Sequence, residues 1–113
     1  MLPKQNRLKK KKDFDRVFRN GGKIKTNALF FRWAPNNLKI SRFGFIVSQK
    51  ISKKATIRNK TKRQLRALIR KRIAVLQKGI DGVFIVKPGL EKKDFSEIEK
   101  IVVHILSKTK LII

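Results

Sequence analysis

The chain contains no cysteine, so disulfides, thiolate nucleophiles and cysteine-bound zinc are excluded. It contains one histidine, His104, which lacks the partners that a metal site or an acid–base pair requires, and we assign it no function. No apolar run is long enough to span a bilayer, and the opening residues MLPKQNRLKKKK lack the apolar segment of a signal peptide. These absences predict a cytoplasmic protein that spans no membrane and has no metal site of its own.

Acidic residues are scarce: seven Asp and Glu stand against 31 Lys and Arg, which gives a net charge of +24. No acid occurs between Arg16 and Ile80. Positive charge of this density destabilises the folded state by self-repulsion unless a polyanion neutralises it. Nucleic acid is the commonest such partner, and an anionic membrane surface is the second candidate. Because 41 % of the 113 residues are hydrophobic, we predict one folded domain over 1–113, with a basic and flexible arm at 1–12.

Hydrophobic periodicity predicts an α+β fold with the element order α-β-β-β-α-β-α. A short amphipathic helix precedes a Gly-Gly pair. The segment KIKTNALFFRWAP then predicts one main strand with a short strand at its start, and SRFGFIVSQK predicts a second main strand in the centre of the sheet. A long helix is predicted over 56–77 with Thr56 as its N-cap, followed by an apolar strand over 82–88. The last helix is predicted to start near Asp94 and to bury a stripe that includes Phe95.

The long helix presents a basic row beside its core-facing stripe when it is wound at about 3.6 residues per turn. The row joins an asparagine to arginines at i+4, i+7 and i+11: Asn59, Arg63, Arg66 and Arg70. Further basic residues surround it: Lys50, Lys53, Lys54, Arg58, Lys60 and Lys62. The guanidinium fork suits phosphate, and an asparagine amide both donates and accepts hydrogen bonds. A charged row is ordinarily a solvated face, but such a face interleaves Glu with Lys, so the lack of acids here favours a bound polyanion.

The segment SQKISKKATIRNKTKRQLRALI resembles the signature of the bacterial ribonuclease P protein component, an Arg-Asn-Arg pattern followed by Lys-Arg and Leu-Arg. RLKKKKDFDRVFRNGG and RFGFIVS are also similar to that family, in its order and at its spacing, so the resemblance covers nearly the whole chain. Two positions depart from the pattern. Lys60 replaces the last arginine of Arg-Asn-Arg and loses the bidentate fork, and Gln49 stands where the family usually has a basic residue.

The resemblance implies a two-layer α/β sandwich with an unusual left-handed βαβ crossover. It also implies a function as the protein subunit of ribonuclease P, an endoribonuclease whose RNA subunit is the catalyst and uses Mg²⁺ to remove the 5′ leader of precursor tRNA. The protein would bind the catalytic RNA through the basic row and its neighbours, and would bind precursor tRNA. It would supply no catalytic residue and hold no metal, and no obligate protein partner is evident.

The family also binds the single-stranded leader in a cleft between the sheet and the first helix, where aromatic rings can stack on bases. The candidates in this chain are Phe14, Phe18, Phe30, Phe43 and Phe45. Aromatic residues at these periods ordinarily pack in the core. Only for Phe14 and Phe18 does the resemblance put base stacking on a par with core packing. A ribosomal or other structural RNA-binding protein is the alternative function. A DNA-compacting protein is disfavoured, because no dimer arm or wedge motif is evident.

Overall fold

The computed structural model describes residues 2–111, in which three helices and four strands follow the predicted order α-β-β-β-α-β-α. The elements are α1 (Lys11–Asn20), β1 (Gly22–Lys25), β2 (Leu29–Pro35), β3 (Arg42–Ile46), α2 (Ala55–Arg72), β4 (Ile80–Val86) and α3 (Phe95–Lys108). Single 3-10 turns lie at Lys4–Asn6, Ile73–Val75 and Leu90–Lys92. The α+β class is confirmed. Among the described residues, no helix combines the length and the apolarity needed to cross a membrane.

The strands form one sheet in the order β1-β2-β4-β3. Strand β2 pairs antiparallel with both β1 and β4, whereas β3 and β4 run parallel. The central strand of the β2-β4-β3 part is β4, in which six of seven residues are buried. The prediction that β3 is central was wrong. It lies at the edge, and its apolar character on both faces arises because helices and the N-terminal segment cover it.

Helices cover both faces of the sheet, unequally. On one face, here called the α2/α3 face, Phe31, Phe43 and Phe84 form the main core with apolar residues of α2 and α3. On the opposite face, here called the α1 face, a smaller cluster joins Val17 of α1 to Val83 and other strand residues. Alternation along each strand therefore assigns every strand side chain to one of these two faces.

The crossover β3–α2–β4 is left-handed, as the resemblance implied. The Phe43 side chain lies in the core that includes α2, and its carbonyl accepts a hydrogen bond from the Leu8 N–H at 2.9 Å, on the side away from β4. In a strand of L-residues drawn upward with that side chain toward the viewer, this carbonyl points right. Strand β4 then lies to the left with α2 in front, which is the hand opposite to the usual rule.

The N-terminal segment packs against the domain, although a flexible arm was predicted there. Leu2 is fully buried, Leu8 is 6 % exposed, and the Asn6 amide donates to the Ser41 carbonyl at 2.8 Å. The prediction weighed the charge of this segment and overlooked its two leucines, whose burial stabilises the packed position. Met1 lies outside the described residues.

Three local predictions about helices were wrong in part, and one is confirmed. Helix α2 begins at Ala55, so Thr56 lies inside the first turn and is not the N-cap. The helix ends at Arg72 and passes into a 3-10 turn before reaching residue 77. Phe95 is 42 % exposed, because it is the first residue of α3 and precedes the buried stripe. Asp94 caps α3 as predicted, accepting a backbone N–H at 2.9 Å.

Candidate nucleic-acid interface

Helix α2 holds its basic row away from the core. Leu65, Leu68 and Ile69 are at most 1 % exposed and anchor the helix on the α2/α3 face. The row is consequently directed outward along the free side of the helix, and three of its members are exposed while Arg66 is half-buried: Asn59, Arg63, Arg66 and Arg70. The first turn of α2 contains no acidic residue that could neutralise this charge.

The basic residues around the row differ in their surroundings. The Arg58 guanidinium donates from Nη1 to the Ser52 carbonyl at 2.8 Å, so it braces the loop before α2 while keeping further N–H groups. Lys62 is half-buried. Four lysines of the predicted set have exposed side chains: Lys50, Lys53, Lys54 and Lys60. Sequence reasoning did not foresee the structural contact of Arg58.

The five phenylalanines predicted for one cleft lie on two faces of the sheet. Phe14 and Phe18 of α1 are half-buried against the α1-face cluster. Phe30 lies on the same face, because it pairs in register with Ile85 of that cluster. Phe43 is 2 % exposed in the main core, and Phe45 stacks on the core ring of Phe84 with centroids 5.7 Å apart.

The α1 face therefore brings together only three of the five candidates. Period-two alternation places Phe43 and Phe45 on the α2/α3 face, where their rings are used for packing. Both residues nevertheless line one groove with Phe14 at the outer edge of β3, so their predicted contact with the leader stays a prediction.

A close approach between α1 and β3 sets the floor of the aromatic surface. A Cβ atom on Gly44 would lie 2.5 Å from the ring of Phe14, which is closer than real Cβ contacts allow. The glycine thus lets the Phe14 ring lie directly on the β3 backbone. Phe14 keeps part of its ring accessible in this position.

Two cations join the aromatic residues of the α1 face, and sequence reasoning missed both. The Arg32 guanidinium lies 5.5 Å from the centroid of the Phe18 ring and donates to the Phe18 carbonyl. Its Nε is buried, with no hydrogen-bond partner among the described residues. The Lys25 ammonium lies 5.1 Å from the centroid of the Phe30 ring. Alternation in LFFRWAP, which puts Phe30 and Arg32 on one face, was the available signal.

A groove connects the basic row to the aromatic surface. It has a volume of about 270 Å³ and runs along the outer edge of β3. Lys9 and Phe14 line it from the N-terminal side, Phe43, Gly44 and Phe45 line it from the sheet, and Arg66 lines it from α2. A phosphate chain in this groove would meet cations on both walls and an aromatic ring at one end.

A buried carboxylate, also missed from the sequence, ties α1 to the sheet. Asp81 of β4 is fully buried. It accepts two hydrogen bonds from Arg42, from Nε at 2.9 Å and from Nη2 at 2.7 Å, and one from the Asn36 amide at 2.9 Å. It also pairs with Arg16 of α1. The hydrogen bond to Asp81 raises the pKa of Arg42.

This cluster bears on the chemistry that the protein can perform. Asp13 faces the Arg42 guanidinium at 3.4 Å and belongs to the same structural group. Among residues 2–111, no three carboxylate, histidine or cysteine side chains come together as metal ligands. The two acids of the cluster, Asp13 and Asp81, are instead engaged by the arginines Arg16 and Arg42.

The sequence of this chain matches one protein family over nearly its whole length. The family model described as Ribonuclease P matches residues 2–110. A ribonuclease P protein component of a Pseudanabaena species is 35 % identical over 99 % of this chain and 97 % of its own length. That of Caldanaerobacter subterraneus is 33 % identical over 98 % and 95 %.

Solved structures agree with these relatives. The RNase P protein from Thermotoga maritima, in complex with 1-(4-fluorophenyl)-2-thiourea, is 32 % identical with a TM-score of 0.82 over 88 % of this chain and 96 % of its own. A mutant Staphylococcus aureus RNase P protein with defective mRNA degradation activity is 25 % identical with a TM-score of 0.89 over 96 % and 91 %.

Proposed function

The chain belongs to the family of ribonuclease P protein components, and on that premise we propose how it binds its RNA partners. Ribonuclease P is a ribonucleoprotein endoribonuclease, and this chain is its protein subunit. The proposal is that α2 and the loop before it hold the catalytic RNA, and that the α1 face holds the 5′ leader of precursor tRNA. The alternative of a ribosomal or other structural RNA-binding protein is not favoured, because the family match spans residues 2–110.

The observation that carries this proposal is the groove between the basic row and the α1 face. Arg66 and Phe14 line the same groove, so one continuous surface offers cations for phosphate and a ring for a base. Single-stranded nucleic acid is bound by this combination without reading of sequence. Two RNA segments held on adjoining surfaces would be aligned with each other by the protein.

Each class of residue has a distinct role in the proposal. The arginines of the row contact phosphate through their planar forks, and Asn59 contacts a phosphate, sugar or base edge through its amide. Lys50, Lys53 and Lys60 supply exposed charge without a bidentate fork. Phe14, Phe18 and Phe30 supply stacking surface for the leader, with Arg32 and Lys25 beside them.

The protein supports the reaction through charge rather than through catalytic groups of its own. A net charge of +24 screens the repulsion between two RNAs that must lie side by side. Mg²⁺ is held by the RNA subunit in this proposal, and the screening helps that RNA to keep its ions at working ionic strength. Added magnesium should therefore reduce the dependence of cleavage on the protein.

Two substitutions in the row test whether residue order matters beyond charge. Arg63→Ala removes one phosphate contact, so it should weaken RNA-subunit binding and lower the slope of log affinity against log salt by about one unit. Asn59→Ala changes no charge, so it should leave that slope unaltered and cost roughly 1 kcal/mol of binding. Lys39→Ala removes one exposed charge in the β2–β3 turn, at the other end of the sheet from the start of α2, and is the matched control.

Filter binding over a salt series measures these effects, with circular dichroism as the check on folding. The proposal fails if Arg63→Ala and Lys39→Ala change the slope equally, because the row would then act only as part of a general positive field. It also fails for Asn59 if the folded Asn59→Ala variant binds like the parent at every salt concentration.

A further inference from the structure

A second recess, which shares only Lys25 with the surfaces assigned to RNA above, lies between the β1–β2 turn and α3. Its volume is about 520 Å³, which falls within the range of about 300 to 1,000 Å³ found for ligand sites. Lys25, Thr26, Asn27 and Ala28 line it from the turn, and Lys93, Lys100, Ile101 and His104 line it from α3 and the segment before that helix. It is here called the α3 pocket.

The lining of this pocket combines charge with an apolar floor. Three of its residues are lysines, and none of its lining residues is acidic. Ala28 is 3 % exposed and Ile101 packs on the main core, so the floor is held in place by the fold. Two acids interact with these lysines: the Glu97 carboxylate lies 3.9 Å from the Lys93 ammonium, and Asp94 interacts electrostatically with Lys100, so part of the lysine charge is offset.

The position of the pocket separates it from the basic row. Lys25, Phe30, Ile85 and Ile46 lie in register across the four strands, from the β1 edge to the β3 edge. With strands about 4.8 Å apart, the two edges are about 14 Å from each other. The groove lined by Arg66 follows the β3 edge and the α3 pocket opens at the β1 edge, so a single phosphate group cannot occupy both.

We propose that the α3 pocket binds one nucleotide of a single-stranded RNA, with its phosphate at the lysines and its base against Ile101 and Ala28. An RNA strand has a route from the α1 face to the pocket, because Phe30 and Lys25 lie next to each other on that face and Lys25 also lines the pocket. A mononucleotide matches both parts of the lining, since lysine ammonium groups bind phosphate and an apolar floor accepts the face of a base. Thr26 and Asn27 supply polar groups for the sugar.

The test uses the one histidine as a reporter. His104 is the only histidine in the chain, so its ring protons are a unique signal in a proton–carbon NMR spectrum of the whole protein. Adenosine 5′-monophosphate and inorganic phosphate are titrated separately in a phosphate-free buffer. We expect a saturable shift of the His104 ring and of the Lys100 and Ile101 amides with the nucleotide, and a weaker response to phosphate. Trp33, the only tryptophan, lies outside the pocket lining, and its indole signal should stay in place.

A matched pair of substitutions separates the pocket from the general field of the protein. Lys100→Gln and Lys108→Gln each remove one charge from an exposed residue of α3, but only Lys100 lines the pocket. Lys100→Gln should weaken nucleotide binding about fivefold, the effect of removing one charge about 4 Å from a phosphate in water. Lys108→Gln should bind like the parent, and circular dichroism verifies the fold of both.

Three results would overturn the proposal. One is a His104 signal that drifts linearly without saturation, which is the mark of non-specific ion association. Another is an equal loss of affinity in Lys100→Gln and Lys108→Gln. The third is a phosphate response as strong as that to the nucleotide, since the base would then contribute nothing. None of these bears on the proposed function, which is judged by RNA-subunit binding of Arg63→Ala.

Discussion

The substitution Asp81→Asn tests whether the buried carboxylate holds α1 on the sheet. It keeps the size of the side chain and removes the charge that faces Arg42 and Arg16. Removing one partner of a fully buried ion pair costs about 3–5 kcal/mol, because the other charge is left uncompensated. Here the side chains of Arg42 and Arg16 are 22 % and 30 % exposed, so water solvates them in part and the cost falls to about 2–3 kcal/mol.

Thermal unfolding followed by circular dichroism measures this loss. One kcal/mol corresponds to roughly 4 °C in a domain of this size, so Asp81→Asn should lower the Tm by about 10 °C. Asp15→Asn is the matched control, because it removes the same charge from an exposed residue of α1 and should shift the Tm by no more than about 2 °C. If the two variants melted together, the carboxylate would contribute only to net charge and the account of α1 docking would be refuted.

Three further predictions concern the aromatic surface, an ion pair between helices and the net charge. In Gly44→Ala the new methyl group displaces the Phe14 ring that lies over it, so the free energy of unfolding should fall by only about 1 kcal/mol. The preference for precursor tRNA with a leader over tRNA without one should decline in a binding assay. An unchanged preference would contradict the leader site. Hydrogen bonds from Arg72 and Lys71 lower the pKa of Glu99, so Glu99→Gln should be less stable than the parent at neutral pH. In urea titrations the difference should shrink as the pH falls below the ordinary pKa of a glutamate and should vanish once the carboxylate of the folded parent is protonated. Because the net charge is +24, heparin should raise the Tm of the parent at low salt, and an unchanged Tm would show that self-repulsion is negligible.

Local patterns in the sequence were sufficient for the elements and for the basic row. The period of 3.6 in α2 separates Leu65 and Leu68 from Asn59 and Arg63, and the helix buries the first pair and exposes the second. The Asp94 cap was equally local, because the carboxylate accepts its hydrogen bond three residues along the chain. Such features depend on neighbours within one or two turns.

Features that depend on distant partners were not predictable in the same way. The Asp81 carboxylate is bound by Asn36, Arg42 and Arg16, which are 45, 39 and 65 residues away in the chain. Without the strand order, nothing indicated that these side chains meet. The distribution of the five phenylalanines over two faces of the sheet was unpredictable for the same reason. The sequence does not show which face of β3 is covered by α1 and which by α2.

The sequence indicated only weakly that β3 lies at the edge of the sheet, and hydrophobic periodicity did not reveal it. A strand with apolar residues on both faces is typical of the centre of a sheet. In this fold the edge is covered by residues 7 and 8, because Leu8 donates its N–H to the Phe43 carbonyl. A leucine in a lysine-rich segment was the only hint that the segment would pack there.

The most direct test of the central claim is a cleavage assay with each component omitted in turn. Precursor tRNA, a bacterial ribonuclease P RNA and this protein are mixed at near-physiological salt and low magnesium, and release of the 5′ leader is followed on a gel. We expect release when both the RNA subunit and the protein are present, little release with the RNA alone, and none with the protein alone. Robust metal-dependent cleavage by RNA-free protein would contradict the claim that the protein acts as a binding subunit, and so would a leader-release rate that the protein leaves unchanged.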